Sequence, residues 1–600
     1  MSSPEAGSSG SHVQSDPQNF RLNALFFRRL GGLLRPYWFR KGAWLSWAML
    51  LVMTFAGSTY SIVGGVVSTL TARQADALVA KQVGQYWWFW GLLTGLVVLR
   101  YLTINLQNYV SARLNLGWRQ WLSTELIDRY LRNKTYYQIN IDRDLDNPDQ
   151  RIQESVFPFC DAMTQVPQRV MTAGIDIMVQ VVILMAISPA MFVATLVFTA
   201  VQAVLTLVVY KPLIRLQWNS TISEADFRYG LLHVRDNAET VAFYRGEEAE
   251  RKHLLARLTD AVKRQLDIKY YQIRVNIFYQ ILEIVWDVMP MFLIAPLFFQ
   301  GHISFGAIAQ GAAAAMMIKQ SLGLFSQFIP ILSAAAPNVV RLAEIQEKFD
   351  RLDADAPRDE KSSRTPRINL VRGAEMVRLQ DLSLTTPGGE QSLFRNLDLT
   401  VPNSRRLLIT GQTGVGKSSL LRAIAGLWNR GNGVVEVPSS DKMLFLPQKP
   451  YMVLGDLRSQ LIYPRQESDI SDEALEKVLE RVRLGGLAQR FGGFQSERDW
   501  ARVLSLGEQQ RIAFARILTN RPSYVLLDEA TSAVDLATEE LLYQLLLETG
   551  ATVISVAHRT SVVQFHDMTL HLDANGHKIR MRTDEQESSY VRSQISEQVG

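Results

Sequence analysis

The sequence predicts an α-helical membrane-spanning domain of six spans followed by an α/β domain built around a phosphate-binding loop. Three observations carry this. Long stretches without charge are confined to residues 42–340. A glycine-rich run, Gly411-Gln412-Thr413-Gly414-Val415-Gly416-Lys417-Ser418-Ser419, sits between an apolar strand pattern and a helix pattern. Beyond about residue 367 the uncharged stretches give way to short strands and helices separated by turn residues. A chain of 600 residues is long enough for two or more domains. Its 47% apolar and 20% charged residues are too oil-like for an average soluble pair.

The remaining composition narrows the function classes. The net charge of +5, from 63 basic and 58 acidic residues, is mild and gives no ground for nucleic acid as a partner. A single cysteine, Cys160, excludes an internal disulfide framework and a cysteine-rich zinc site. Residues 1–20 are rich in Ser, Gly and Pro and are expected to be a disordered tail. They lack the basic, apolar and small-residue order of a signal peptide. This lack of a targeting extension points to a bacterial inner (plasma) membrane.

Each span follows from length and charge. About 20 apolar residues cross a bilayer. Residues 42–72 carry no charge and form the first span; residues 86–99, continuing through Arg100, form the second. Residues 177–210 are uncharged and too long for one span, and Ser188-Pro189 breaks them into a third and a fourth joined by a very tight turn. Residues 275–300 and 303–332 give the fifth and sixth. Basic residues crowd before the first span (Arg28, Arg29, Arg35, Arg40, Lys41), after the second (Arg113, Arg119, Arg129) and between the fourth and fifth (Arg215, Arg228, Arg235). The segment between the first two spans has only Arg73 and Lys81. Positive-inside bias therefore places the N-terminus in the cytoplasm, and an even number of spans returns the chain there. The connections at residues 114–168 and 211–274 are helical and polar, so the membrane helices are expected to continue into the cytoplasm, where they can reach a nucleotide domain. The expected domains are 21–349 for the membrane half, 350–367 for a linker, 368–582 for the nucleotide half and 583–600 for a polar tail.

In the nucleotide half, Arg406-Leu407-Leu408-Ile409-Thr410 reads as a buried strand before the loop, and the helix follows it. A strand–loop–helix of this kind aims backbone N–H groups and a helix N-terminus at phosphate. Lys417 supplies a point charge for the β/γ-phosphates and Ser418 a hydroxyl for Mg²⁺. The strand Tyr524-Val525-Leu526-Leu527 ends in Asp528, placed for Mg²⁺, and Glu529, placed to polarise an attacking water. Gln448 follows another strand and can reach Mg²⁺ or water; His558 ends a further strand and can contact the γ-phosphate. The expected cofactors are ATP and Mg²⁺.

Leu504-Ser505-Leu506-Gly507-Glu508-Gln509-Gln510-Arg511 resembles the signature motif of ATP-binding cassette (ABC) proteins, with Ser532-Ala533-Val534-Asp535 as the D-loop. Leu506 and Glu508 replace the family's Gly and Gln. The resemblance implies that Ser505 and Gly507 bind the γ-phosphate of ATP held by an opposite subunit. It implies an exporter-type ABC fold, with this chain as a half-transporter working as a homodimer in lipid. The family's aromatic residue for adenine has no Tyr or Trp counterpart near Leu384-Thr385-Thr386-Pro387, and Phe394 is the candidate in its place. Leu145-Asp146-Asn147-Pro148-Asp149-Gln150-Arg151-Ile152 and the run from Arg235 to Glu247 are similar to the peroxisomal acyl-CoA transporters and equally to bacterial BacA-like transporters. That branch implies fatty acyl-CoA, cobalamin or an antimicrobial peptide as substrate.

An acid at mid-membrane costs roughly 2.5–3.5 kcal/mol on insertion scales, so Asp176, Glu283 and Asp287 are candidates for the substrate path. Glu283 and Asp287 are four apart and share a helix face, which either lines a watery cavity or meets Arg100. The other reading of Asp176 and Glu283 is solvation at the membrane edge. Pro290 and Pro296 bend the same helix, for gating or for packing. The sequence thus supports an ATP hydrolase coupled to transmembrane transport. An ATP-gated membrane regulator or channel uses the same motifs, and a soluble ABC ATPase would lack the spans.

Overall fold

Helices come first in the chain, and the longest of them contain the uncharged stretches: α1 (Ala24–Trp38), α2 (Trp44–Val79), α3 (Val83–Leu131), α4 (Thr135–Asp142), α5 (Pro148–Ile187), α6 (Pro189–Asp236), α7 (Ala238–Phe243), α8 (Glu247–Phe299) and α9 (Phe305–Ala354). The structure is a computed structural model that describes residues 24–142, 145, 147–354, 368–386, 392–466, 469–557, 559–573 and 576–581. The two expected tails and residues 355–367 of the expected linker lie outside the described residues. The chain forms two compact units, one of residues 1–136 and 143–353, the other of residues 137–142 and 354–600.

In the first unit, five helical segments among the described residues are long and apolar enough to cross a membrane. They cover most of each of the first five predicted spans. The sixth lies in α9, where the side chains of residues 324–334 are outside the described set. The break at Ser188-Pro189 is a one-residue turn: α5 ends at Ile187, Ser188 is extended (φ −156°), and its hydroxyl accepts the Met191 N–H at 3.2 Å. Proline at the first helical position loses no hydrogen bond there. The helices far exceed a span. α3 has 49 residues and α8 has 53; at 1.5 Å per residue, each is more than twice the roughly 30 Å of a hydrocarbon core.

Packing in this unit pairs α2 with α3 and α5, and α6 with α8. Leu184, Met191, Trp286, Ile294, Ala314 and Ile318 join α5, α6, α8 and α9 in one apolar cluster. Ion pairs fasten the polar end of α9. Arg29 forks onto Glu347 through two bonds of 2.9 Å, Arg151 reaches Glu344 at 2.6 Å, and Arg129 binds Asp350 and Asp353 at 2.6 and 2.9 Å. Those last two bonds tie the final turns of α9, which runs to Ala354, to α3.

The intramembrane charges differ from expectation in one respect. Glu283 meets Lys319 of α9, not Arg100, and Lys319 also lies 5.0 Å over the Trp286 ring and 5.5 Å over Phe198. Arg100 instead sits 4.2 Å over Tyr60, in space that Gly64 leaves open. The helix pairing is the reason: α8 packs on α6, whereas α3 packs on α2 and α5.

The second unit contains two sheets. A four-stranded sheet has the order β1-β5-β2-β3, from β1 (Asn369–Arg372), β2 (Val377–Thr385), β3 (Ser392–Val401) and β5 (Gly431–Val437). A six-stranded sheet has the order β10-β9-β4-β8-β7-β6, from β4 (Arg406–Gly411), β6 (Met443–Leu446), β7 (Tyr524–Asp528), β8 (Thr552–Val556), β9 (Met568–Asp573) and β10 (Gly576–Met581). All its pairings are parallel except β9 with β10. Helix α10 (Lys417–Ile424) follows β4, and α11 (Leu457–Ile462), α12 (Asp472–Arg481), α13 (Leu487–Phe491), α14 (Trp500–Val503), α15 (Leu506–Asn520) and α16 (Leu536–Glu548) complete the unit. β7 and β8 are buried at every residue, as a parallel sheet covered on both faces requires. Residues 137–142 belong to this unit, where Asp142 accepts a bond from Arg430 at 3.2 Å.

Candidate functional site

The register of the six-stranded sheet brings the predicted residues together. Ile409 pairs with Val556, and Val556 pairs with Asp528. The carboxyl ends of β4, β7 and β8 therefore lie side by side, the edge where open α/β sheets bind ligands. The loop from Gly411 to Gly416 leaves β4 there and enters α10. Gly411 has φ +140°, and a Cβ on it would lie 2.1 Å from the Leu572 carbonyl oxygen. Gly416 has φ +101°, and a Cβ there would press on Leu393 at 3.2 Å. Side chains at either position would spoil the turn that aims the N–H groups of Gly414 to Ser419.

Lys417 folds back over this loop, donating to the carbonyls of Gly411 and Gln412 at 2.8 Å each. Burial pushes its ammonium below the usual lysine range, against the opposing pull of Glu529 and Asp528. Ser418 donates to Asp528 Oδ1 at 2.8 Å. Burial raises the Asp528 carboxyl, with Ser418 and Arg422 opposing and Glu529 adding to the rise. A hydroxyl and a carboxylate in contact are hard oxygen donors and fit Mg²⁺, which keeps water and phosphate oxygens in the rest of its shell. Among the described residues no group of three or more His, Cys, Asp or Glu side chains is placed to hold a metal ion.

Glu529 follows directly at φ +50°, a left-handed conformation that β-branched and bulky residues avoid. Its N–H donates to the Val556 carbonyl at 3.0 Å, and its Oε2 accepts from Gln448 Nε2 at 2.9 Å. The two residues predicted to handle water and metal thus touch. His558 lies outside the described residues. Phe394 is 6% exposed and part of the core that holds β2, β3 and α10, so its ring is committed to packing.

The signature segment caps α15. Ser505 is the N-cap, and Ser505 and Glu508 form a reciprocal capping box. A Cβ on Gly507 would lie 2.8 Å from the Ala533 carbonyl oxygen, so the approach of the D-loop demands glycine there. Sequence reasoning assigned no role to Gln510, which is fully buried and joins three motifs. Its Nε2 donates to the Gln448 carbonyl at 2.9 Å and to Ser532 Oγ at 3.1 Å, while its Oε1 accepts from Ala533 N at 2.9 Å. Arg559 also binds the D-loop, through the carbonyls of Val534 and Ser532 at 3.0 and 3.3 Å. A buried amide inside the signature was the available signal for Gln510. Arg559 had none, because its contacts to the D-loop are to backbone carbonyls, and the carboxylate near it, Glu539 at 3.7 Å, lies in α16.

Comparison with known proteins agrees with this arrangement. Residues 32–299 match the family described as ABC transporter transmembrane region 2, and residues 394–532 match the family described as ABC transporter. An uncharacterized ABC transporter ATP-binding protein of Synechocystis is 37% identical over 539 residues, covering 89% of this chain and 81% of that protein. The chain belongs to the ABC transporter family. Having one membrane region and one cassette, this ABC half-transporter couples ATP hydrolysis to transport. It is also 33% identical to ABC transporter D family member 2, chloroplastic, of Arabidopsis thaliana, over 81% of this chain and 78% of that protein. The human lysosomal cobalamin transporter ABCD4 is 28% identical over 94% of this chain and 97% of its own length.

Proposed function

We propose that two copies of this chain form a homodimeric transporter that moves a hydrophilic or amphipathic substrate, such as cobalamin, a peptide or a fatty acyl-CoA. The observation that carries the reading is the pair of contacts at the carboxyl edge of the parallel sheet, Ser418 on Asp528 and Gln448 on Glu529. The loop from Gly411 to Ser419 wraps the phosphates, Lys417 neutralises them, and Ser418, Gln448 and Asp528 would hold Mg²⁺, which would supply further positive charge against the phosphates. Glu529 accepts the proton of the attacking water, and His558 contacts the γ-phosphate. Ser505 and Gly507 of each copy close the other copy's site. Exposed aromatic residues fit an assembly of this kind: Phe243 and Tyr244, between α6 and α8, are 79% and 84% exposed.

ATP binding draws the two cassettes together, hydrolysis separates them, and the long helices carry the change to the membrane cavity. The basic residues support an N-terminus and cassette on the cytoplasmic side, in what we infer is a bacterial inner membrane. The test is Glu529→Gln. Hydrolysis is expected to fall by at least about a hundredfold, the scale of a lost general base, with ATP binding retained. Unchanged hydrolysis overturns the role of Glu529. Reconstitution in vesicles of both orientations, with cobalamin, acyl-CoA and a cationic peptide, reads the substrate and the direction.

A further inference from the structure

The signature segment has Glu508 where the motif it resembles has glutamine, and that exchange brings a negative charge to a place meant for phosphate. Glu508 Oε2 accepts from Ser505 N at 2.8 Å and from Ser505 Oγ at 3.1 Å. A γ-phosphate bonded to Ser505 would thus sit well within the ~8 Å Debye length of a second anion. Glutamine would make the same cap without the charge. Partial burial pushes the Glu508 carboxyl up, but the Ser505 N–H and the Arg490 guanidinium outweigh it and hold the group below the usual glutamate range. Glu508 is therefore ionised at neutral pH.

The structure also shows what offsets this charge. Arg490 Nη1 donates to Glu508 Oε1 at 2.9 Å, the carboxylate oxygen that the Ser505 cap leaves over. Arg490 is held in place for this. It lies in the last turn of α13, between left-handed glycines Gly486 and Gly492. Its guanidinium covers the Phe491 ring at 4.5 Å, and that ring packs edge-on against buried Trp500 at 5.3 Å. The arginine stem and head thus rest on an aromatic step, with the fork aimed at one oxygen.

We propose that Arg490 is a positioning residue for ATP bound by the opposite copy: it neutralises Glu508 and fixes its carboxylate, so that Ser505 can accept a phosphate beside it. The inference rests on the composite site proposed above. Its ligand is the triphosphate end of a nucleotide held by a second copy of this chain.

The test is a cycle of four purified full-length proteins in lipid nanodiscs: unsubstituted, R490A, E508Q and R490A/E508Q. ATPase activity is measured against ATP concentration. R490A is expected to raise the KM for ATP by about tenfold, with kcat within about twofold, as expected for a coupled charge pair. In the E508Q background the same arginine substitution should change KM by less than about twofold, because no charge is left to offset. R490K, which keeps the charge but not the fork, should fall between. A purely structural arginine would lose as much in the E508Q background, and that result overturns the proposal; so does an unchanged KM in R490A. Ser505→Ala, measured alongside, separates the two layers. Loss of ATPase activity in S505A with an unchanged KM in R490A leaves the composite site standing and removes Arg490 from it. Activity in S505A equal to that of the unsubstituted protein removes the composite site itself.

Discussion

His566 shows at the scale of one residue how the cassette's core sets its pH range. It is 3% exposed, with Nδ1 2.8 Å from the Val562 carbonyl and Nε2 3.0 Å from Ser555 Oγ. A carbonyl only accepts, so Nδ1 carries the proton and Nε2 accepts a hydrogen bond from the Ser555 hydroxyl. Burial pushes this imidazole down to about 4 from its usual 6.5. The unfolded chain then binds the proton more readily than the folded one. The stability from the neutral ring is present above pH 6.5 and is lost progressively as pH falls toward 4, on the order of 3 kcal/mol in all. The second unit should therefore melt earlier at pH 5 than at pH 7.5 in ATP-free protein, and His566→Gln should flatten that dependence. Identical pH dependence in the two proteins would remove His566 as its source.

At the scale of elements, what could be read from the sequence divides by the range of the cause. The turn at Ser188-Pro189, the strand before Gly411 and the acids ending β7 are local, set by proline geometry, glycine dihedrals and apolar runs, and the structure has each of them. Partners across elements were not legible. Arg100 is one of the two surroundings expected for Glu283, yet the partner is Lys319 of α9, because spacing along α8 says nothing about which helix packs on it. Phe394 fails as an adenine platform for a similar reason: aromatic character is visible in sequence, but the core that covers the ring is not. The Glu283–Lys319 pair yields a prediction for α8 and α9. Removing one charge leaves the other unpaired among membrane helices, so Lys319→Met should destabilise the first unit by roughly 1–3 kcal/mol. Glu283→Gln with Lys319→Gln should recover most of that in detergent melting curves. A loss in the double variant equal to the sum of the separate Glu283→Gln and Lys319→Gln losses would show that the pair carries no coupling.

For the whole molecule the decisive question is whether one chain contains a working site. The phosphate loop and the signature belong to the same polypeptide, but in the proposed dimer each loop is closed by the other copy's signature. Lys417→Ala empties the loop of its ammonium, and Ser505→Ala takes the hydroxyl from the signature. Each should be inactive, or nearly so, as a homodimer. When the two variants are co-expressed, a mixed dimer has one ruined site, built from the altered loop and the altered signature, and one intact site. Random pairing makes half the dimers mixed, each with one good site of two, so ATPase activity should return to about a quarter of the unsubstituted level. Sites built within one chain give a different result, because every loop or its own signature would then be damaged and mixing would restore nothing. Differently tagged copies, purified in tandem so that only mixed dimers remain, should raise the recovery toward about half. Recovery that fails in that purified population would mean that the signature serves its own chain, and the homodimer would lose its chemical reason to exist.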